Sequence, residues 1–161
     1  MIPTRRHLEF ASGYLELGMV TEASDELEAI TGSDRLSAEV MQVRADLYME
    51  GKEWELLLAV ARELARQRPE AEKGWIYSAY ALRELGRIGE AKAVLIAAEP
   101  KHGVACAVLH YNLACYHCLL GERAEARRRL AMACRMNPEW KAAALEDADL
   151  AALWDEIAAM P

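Results

Sequence analysis

Within one short stretch, His110, Cys115, His117 and Cys118 bring together the side chains that bind soft metals. Thiolate and imidazole are zinc ligands, and Cys-x2-Cys beside His is a known zinc spacing. Two features count against a metal. Knuckle cysteines sit on a turn, whereas this stretch reads as helix, and no second Cys pair follows at the right distance. On a helix, residues three apart share a face, so Cys115 and Cys118 can meet one ligand, but His117 points about 100° away from Cys118. The expected role of Cys106, Cys115, Cys118 and Cys134 is therefore packing as reduced thiols. A metal- or thiol-dependent protein using Cys115 and Cys118 stays open as an alternative. His7, His102, His110 and His117 have no Ser or Asp at a spacing that suggests nucleophile and base. The glycines occur singly, so no phosphate-cradling loop is formed. The expectation is no enzyme, no catalytic residue, no metal and no cofactor.

The surrounding chain must position these groups, and its composition points to helix. Of 161 residues, 53% are hydrophobic and 28% charged, the balance of a folded soluble domain. Ala, Leu, Glu and Arg dominate, and β-branched residues are sparse. Arg5 and Arg6 are followed by Glu9, Glu16 and Glu22 rather than an apolar run. No secretion signal and no membrane span are expected, which favours the cytoplasm. The net charge of −7 is spread unevenly: −6 over residues 1–70, +4 over 71–138 and −5 over 139–161. Nucleic acid is not an expected partner of such a chain. An acidic partner is favoured only by the middle block.

An internal period decides the architecture. Ala11, Ala45, Ala79 and Ala114 are separated by 34, 34 and 35 residues. Ala23, Leu57, Ala91 and Ala126 repeat those spacings, as do Leu27, Ala61, Leu95 and Leu130. A fourth series, at turns, is Gly18, Lys52, Gly86 and Gly121, with Gly51 one place early. Small residues recur where two helices cross closely, and Gly supplies the left-handed conformation that ends a helix. Each period thus predicts two antiparallel helices, A and B. The expected helices are roughly 4–17, 20–31, 37–50, 53–67, 71–85, 88–99, 104–120 and 122–136.

These residues resemble the tetratricopeptide repeat family, whose pattern is W-x2-L-G-x2-Y, then A-x3-F, then A and P. The third repeat carries Trp75, Ala79, Leu82, Gly86, Ala91, Leu95 and Ala98. The fourth carries Leu113, Ala114, Gly121, Ala126, Leu130, Ala133 and Pro138. The second keeps Ala45, Tyr48, Trp54, Leu57, Leu64 and Pro69, and the first keeps Phe10, Ala11, Tyr14, Gly18, Ala23 and Leu27. Departures are Arg44 and Ser78 in place of large apolar residues, His117 for Tyr, and Pro100, expected to end the third helix B early. The resemblance implies an all-α, right-handed α-solenoid of four helix-turn-helix repeats over residues 1–138. The repeats are placed at about 4–36, 37–70, 71–105 and 106–138, followed by a C-terminal cap over 139–161. In that cap Asp147 is a suitable N-cap, and Leu150, Leu153, Trp154 and Ile157 form one stripe at helical spacing.

In the family, one face of each A helix lines a concave groove that receives peptides. Carried over, that face comprises Arg5, Leu8, Glu9 and Ser12 in the first repeat, and Glu39, Gln42, Val43, Asp46 and Met49 in the second. In the third it is Lys73, Ile76, Tyr77, Tyr80 and Arg83, and in the fourth Val108, Tyr111, Asn112, Cys115 and Cys118. The candidate peptide-binding residues are Tyr77, Tyr80, Arg83, Tyr111, Asn112 and Cys115. Tyr and Arg are favoured at binding hot spots, and an amide side chain can hold a peptide backbone. The family's carboxylate clamp is not expected, because of its positions here, Leu8, Ser12, Val43, Lys73 and Tyr77, only Lys73 matches. The implied function is a protein-interaction scaffold, with the partner expected mainly against the third and fourth A helices, an acidic segment favoured near Arg83, and the acidic first half discouraging it from spreading there. The alternative is a structural self-associating protein, a homo-oligomer driven by the acidic–basic–acidic charge order. The acidic run Glu22, Asp25, Glu26 and Glu28 and the run Arg127, Arg128 and Arg129 are both expected to be solvated helix faces.

Overall fold

The computed structural model describes residues 2–160, and among them only helices and turns occur. The A helices are α1 (Thr4–Glu16), α3 (Ala38–Glu50), α5 (Glu72–Glu84) and α7 (Ala107–Leu119). The B helices are α2 (Val20–Glu28), α4 (Trp54–Gln67), α6 (Ile88–His102) and α8 (Arg123–Met136). A short 3-10 stretch, Gly32–Leu36, leads into α3, where the Ser37 hydroxyl caps the Val40 N–H. The tail holds α9 (Glu139–Glu146), a 3-10 stretch Ala148–Leu153 and α10 (Trp154–Ala158). The class is all-α, as the repeat period predicts.

The chain divides between Ala81 and Leu82 into two units. In the first, α1 packs on α2, α3 packs on α4, and both members of the first pair touch α3. Its core joins Ala11, Ala23, Leu27, Ile30, Val40 and Leu47. In the second, α7 packs on α8, α6 and the 3-10 stretch of the tail. The alanines of the first repeat series, Ala11, Ala45, Ala79 and Ala114, are all fully buried. So are Ala23, Leu57, Ala91 and Ala126. The register read from the sequence is therefore the register of the core.

The departures from the repeat pattern have local solutions. A Cβ added at Gly74 would lie 2.5 Å from the Ala65 backbone nitrogen, so α5 and α4 meet there backbone to backbone. One turn on, the buried Ser78 hydroxyl donates to the Gly74 carbonyl at 2.7 Å, which satisfies it without a partner across the interface. Arg44 sends its guanidinium to the end of α2, reaching the Leu27 carbonyl at 3.5 Å and Glu28 at 3.4 Å. Pro100 corrects the sequence reading, because α6 runs through it to His102. Proline removes only the bond to the carbonyl four residues back. That residue, Ile96, is exposed, and the Gly103 N–H closes the helix on Glu99 at 2.8 Å.

The turn series holds as well. Gly18, Lys52, Gly86 and Gly121 all have positive φ, whereas Gly51 does not. Lys52, at φ 55°, is the one side chain in this series held in the left-handed region. That conformation costs a non-glycine residue about 1–2 kcal/mol, against the roughly 0.5–1 kcal/mol of extra chain entropy that glycine brings to the unfolded state. Lys52→Gly is expected to raise stability by about 0.5 kcal/mol in urea unfolding. A fall in stability would show that Lys52 is not strained.

The cap is also more irregular than one amphipathic helix. Leu150, Leu153 and Ile157 are buried, but Trp154 is 39% exposed, which corrects its place in the stripe. A 3-10 turn superposes residues three apart, so Leu150 and Leu153 share a face and the next residue turns outward. The Trp154 indole N–H is held by the Ala144 carbonyl at 3.0 Å.

Candidate functional site

Helix α7 carries the Cys and His cluster, and the fold sends its members in different directions. The His110 Nε2 donates to the Gly103 carbonyl at 2.7 Å, leaving Nδ1 to accept from Arg129 at 3.2 Å. His117 Nδ1 pairs with Glu122. Cys115 and Cys118 are buried, and burial pushes both thiols above their ordinary pKa, with Asp147 and Asp149 raising Cys115 further. Thiols held protonated in this way are poor nucleophiles and poor metal ligands. Cys115 Sγ and the Asp147 and Asp149 carboxylates lie within 4.8 Å of one another. Their mutual approach is met by donors from the chain itself, as the next contacts show.

Asp147 begins the 3-10 stretch by accepting the Asp149 N–H at 2.9 Å, the N-cap role read from the sequence. Its other oxygen accepts from the Tyr111 hydroxyl at 2.8 Å and from the Cys115 thiol at 3.6 Å. Asp149 is clamped by the Arg83 guanidinium, whose Nε lies 2.8 Å from it, with a second contact through Nη2. Tyr111 also stacks on Trp140 of α9 at 4.3 Å between ring centres. Burial, then the bond to Asp147, raises the Tyr111 pKa. Of the candidate groove residues in the second unit, Arg83, Tyr111 and Cys115 are thus brought together by the chain's own tail. Asn112 is half-buried on the same helix. The contacts of Asp147 with Tyr111 and of Asp149 with Arg83 were missed in the sequence, where Asp147 read only as a cap and Asp149 was not singled out.

The first unit presents its A-helix faces differently. Tyr77 is half-buried, with its hydroxyl donating to Asp46 at 2.8 Å. Lys73 reaches the same carboxylate at 2.7 Å and lies 5.1 Å from the Tyr77 ring centre. Burial, then the Asp46 bond, raises the Tyr77 pKa. These contacts fix the ring's orientation. Tyr80, one turn on, is exposed and lies 5.9 Å from Trp54 between ring centres. Beside Tyr77 an open cavity of about 360 Å³ is lined by Ser12, Leu15 and Glu16 of α1 and by Asp46, Met49 and Glu50 of α3.

Many basic residues of the middle block are paired inside the chain. Lys92 pairs with Glu122, Arg87 with Glu90, and Arg123 and Arg127 with Glu156. Arg128 pairs with Glu125 at its Nε, 2.8 Å away. Arg129 departs from the solvated face expected of it. It is buried, bonded to Glu125 at 2.9 Å and Glu99 at 3.0 Å as well as to His110. Of the tail's acids, Asp149 pairs with Arg83 and Glu156 with Arg123 and Arg127. Among the described residues no helix is long and apolar enough to cross a membrane.

No protein-family model and no curated protein matches the chain. Solved structures do. MamA MSR-1 C2 aligns over 86% of this chain and 79% of its own, at 19% identity and a TM-score of 0.73. TTC0263, a thermophilic TPR protein in Thermus thermophilus, aligns over 98% of this chain and 100% of its own, at 19% identity and a TM-score of 0.71. At such identity the likeness speaks for the backbone and not for a ligand. Together with the buried repeat positions, it makes this chain a helical repeat protein of the tetratricopeptide-like fold.

Proposed function

We propose that the chain is a non-catalytic protein-interaction module that takes an extended segment or short helix of a partner along the A-helix faces of its first unit. The observation that carries this reading is the open cavity beside Tyr77, to which three successive A helices contribute. Ser12, Asp46, Met49 and Tyr77 occupy the positions that the resemblance assigns to a peptide groove. Leu15 and Met49 offer apolar contact, and Tyr77 is already oriented by Asp46 and Lys73, so little side-chain entropy is lost on binding. Tyr80 extends the aromatic surface along α5.

Arg83, Tyr111, Asn112 and Cys115 are candidate binding residues within the second unit, taken by themselves and on different terms. Because Asp149 holds Arg83 and Asp147 holds Tyr111 and Cys115, an acidic partner segment gains Arg83 only by replacing the tail's own carboxylate.

The test uses a partner captured from the native cell. Ser12→Trp fills the cavity from its exposed side, and Tyr77→Phe removes only the hydroxyl. Ser12→Trp is expected to weaken binding by about 2 kcal/mol and Tyr77→Phe by about 1 kcal/mol. Light scattering on the same samples separates partner capture from self-association. A folded Ser12→Trp protein with unchanged affinity would remove the first-unit groove from consideration.

A further inference from the structure

A second cavity, of about 410 Å³, opens in the second unit where the end of α6 and the turn after it approach α8. It lies on a side of α7 that none of the candidate groove residues occupies. Val104, Met132 and Met136 supply apolar wall. Val104 is 95% exposed, an unusual setting for a β-branched apolar side chain. His110 and Glu99 line the inner end, and both are committed to Arg129. Arg129 holds the Glu99 carboxyl below its ordinary pKa, so its charge is matched locally. Arg135 stands at the edge, exposed and without a carboxylate partner among the described residues. Arg123, Arg127, Arg128 and Arg129, on the same helix, are each paired.

We propose that this cavity is a separate interaction site for a short partner segment that presents a leucine-sized or aromatic side chain beside an aspartate or glutamate. The volume is within the range of sites that bury one ligand group. Methionine walls adapt to different apolar shapes. An uncommitted guanidinium is suited to a carboxylate, which it can engage through two parallel bonds. A basic segment would meet Arg135 and the positive charge of residues 71–138 instead.

The experiment uses fluorescence polarisation of a fluorescein-labelled peptide, Gly-Ser-Leu-Leu-Asp-Asp-Ser-Gly, titrated with the full chain. Arg135→Glu and Val104→Glu change exposed side chains, so the helical fold is retained and checked by circular dichroism. Each is expected to weaken binding about tenfold or more. Arg62→Glu, an exposed arginine of α4 in the first unit, makes the same charge change and is expected to stay within about twofold. Peptides with serine for the leucines or lysine for the aspartates are expected to bind about tenfold more weakly. The proposal is overturned if the wild-type chain does not bind the peptide at millimolar concentration. It is equally overturned if Arg62→Glu weakens binding as much as Arg135→Glu, or if the serine peptide binds as well as the original. Loss of the peptide in Ser12→Trp would place it in the first-unit groove and also overturn this site. Because the first-unit groove is tested with its own partner and variants, either reading can fail while the other stands.

Discussion

A chain ended after Glu146 is expected to lose cooperative unfolding or to aggregate. Leu150 and Leu153 lie on the 3-10 stretch that packs on α7 and Ile157 on α10, which packs on α9; all three are buried, and each contributes about 1.5–3 kcal/mol by leaving water. Removing all three costs roughly 5–9 kcal/mol, against a total stability of about 5–15 kcal/mol for a typical domain. The newly bared surface, which includes Tyr111, Cys115 and Cys118, is apolar and contiguous on one helix. Single changes resolve the effect more finely. Leu153→Ala is expected to cost about 2–5 kcal/mol, whereas Trp154→Ala, at a half-exposed side chain, should cost about 1 kcal/mol. Calorimetry checks this through the melting temperatures, and equal losses at the two positions would contradict the 3-10 geometry of the cap.

Arg129→Met is expected to destabilise the second unit by about 2–3 kcal/mol, because it strands Glu99 and removes a donor from His110. The size is held below the full buried-pair value because Glu99 is about one-third exposed. The change also carries a pH signature. Arg129 holds Glu99 below its ordinary pKa, while Arg128 and then Arg129 hold Glu125 at about 2. A carboxyl with a depressed folded-state pKa contributes stability that is complete above its unfolded pKa and is lost as pH falls through the folded value. The wild-type advantage over Arg129→Met should therefore be largest above about pH 4.5 and narrow toward pH 2. Urea unfolding across that window measures it, and a gap that does not vary with pH would mean the loss is packing alone.

The fold was legible because its determinants are local and periodic. Ala11, Ala45, Ala79 and Ala114 announce helix crossings by size alone, and all four are buried. Gly18, Gly86 and Gly121 announce turns because glycine adopts positive φ without steric cost, and Lys52 falls into line by register rather than by type. The neighbourhood of Tyr77 and Asp46 could be anticipated, because both sit on helices whose faces the period defines. In the second unit the decisive contacts join residues 36 and 66 apart, Tyr111 with Asp147 and Arg83 with Asp149. No periodicity links a helix face to an irregular return segment, so the tail's occupation of that face was out of reach. Arg129 was misread for a related reason. In a run of three arginines, nothing in residue type distinguishes the one that faces Glu99 and His110.

The stack of Tyr111 on Trp140 has a practical consequence. The indole nitrogen of Trp140 is buried without a hydrogen-bond partner among the described residues, so this ring should emit toward the blue end of the tryptophan range. Tyr111, in van der Waals contact with it, is an efficient donor of excitation energy and couples to it in near-ultraviolet circular dichroism. Asp147 holds Tyr111 in place from the tail, while Trp140 sits on α9. The chain therefore carries an intrinsic optical reporter of whether its C-terminal segment is seated, readable without any label.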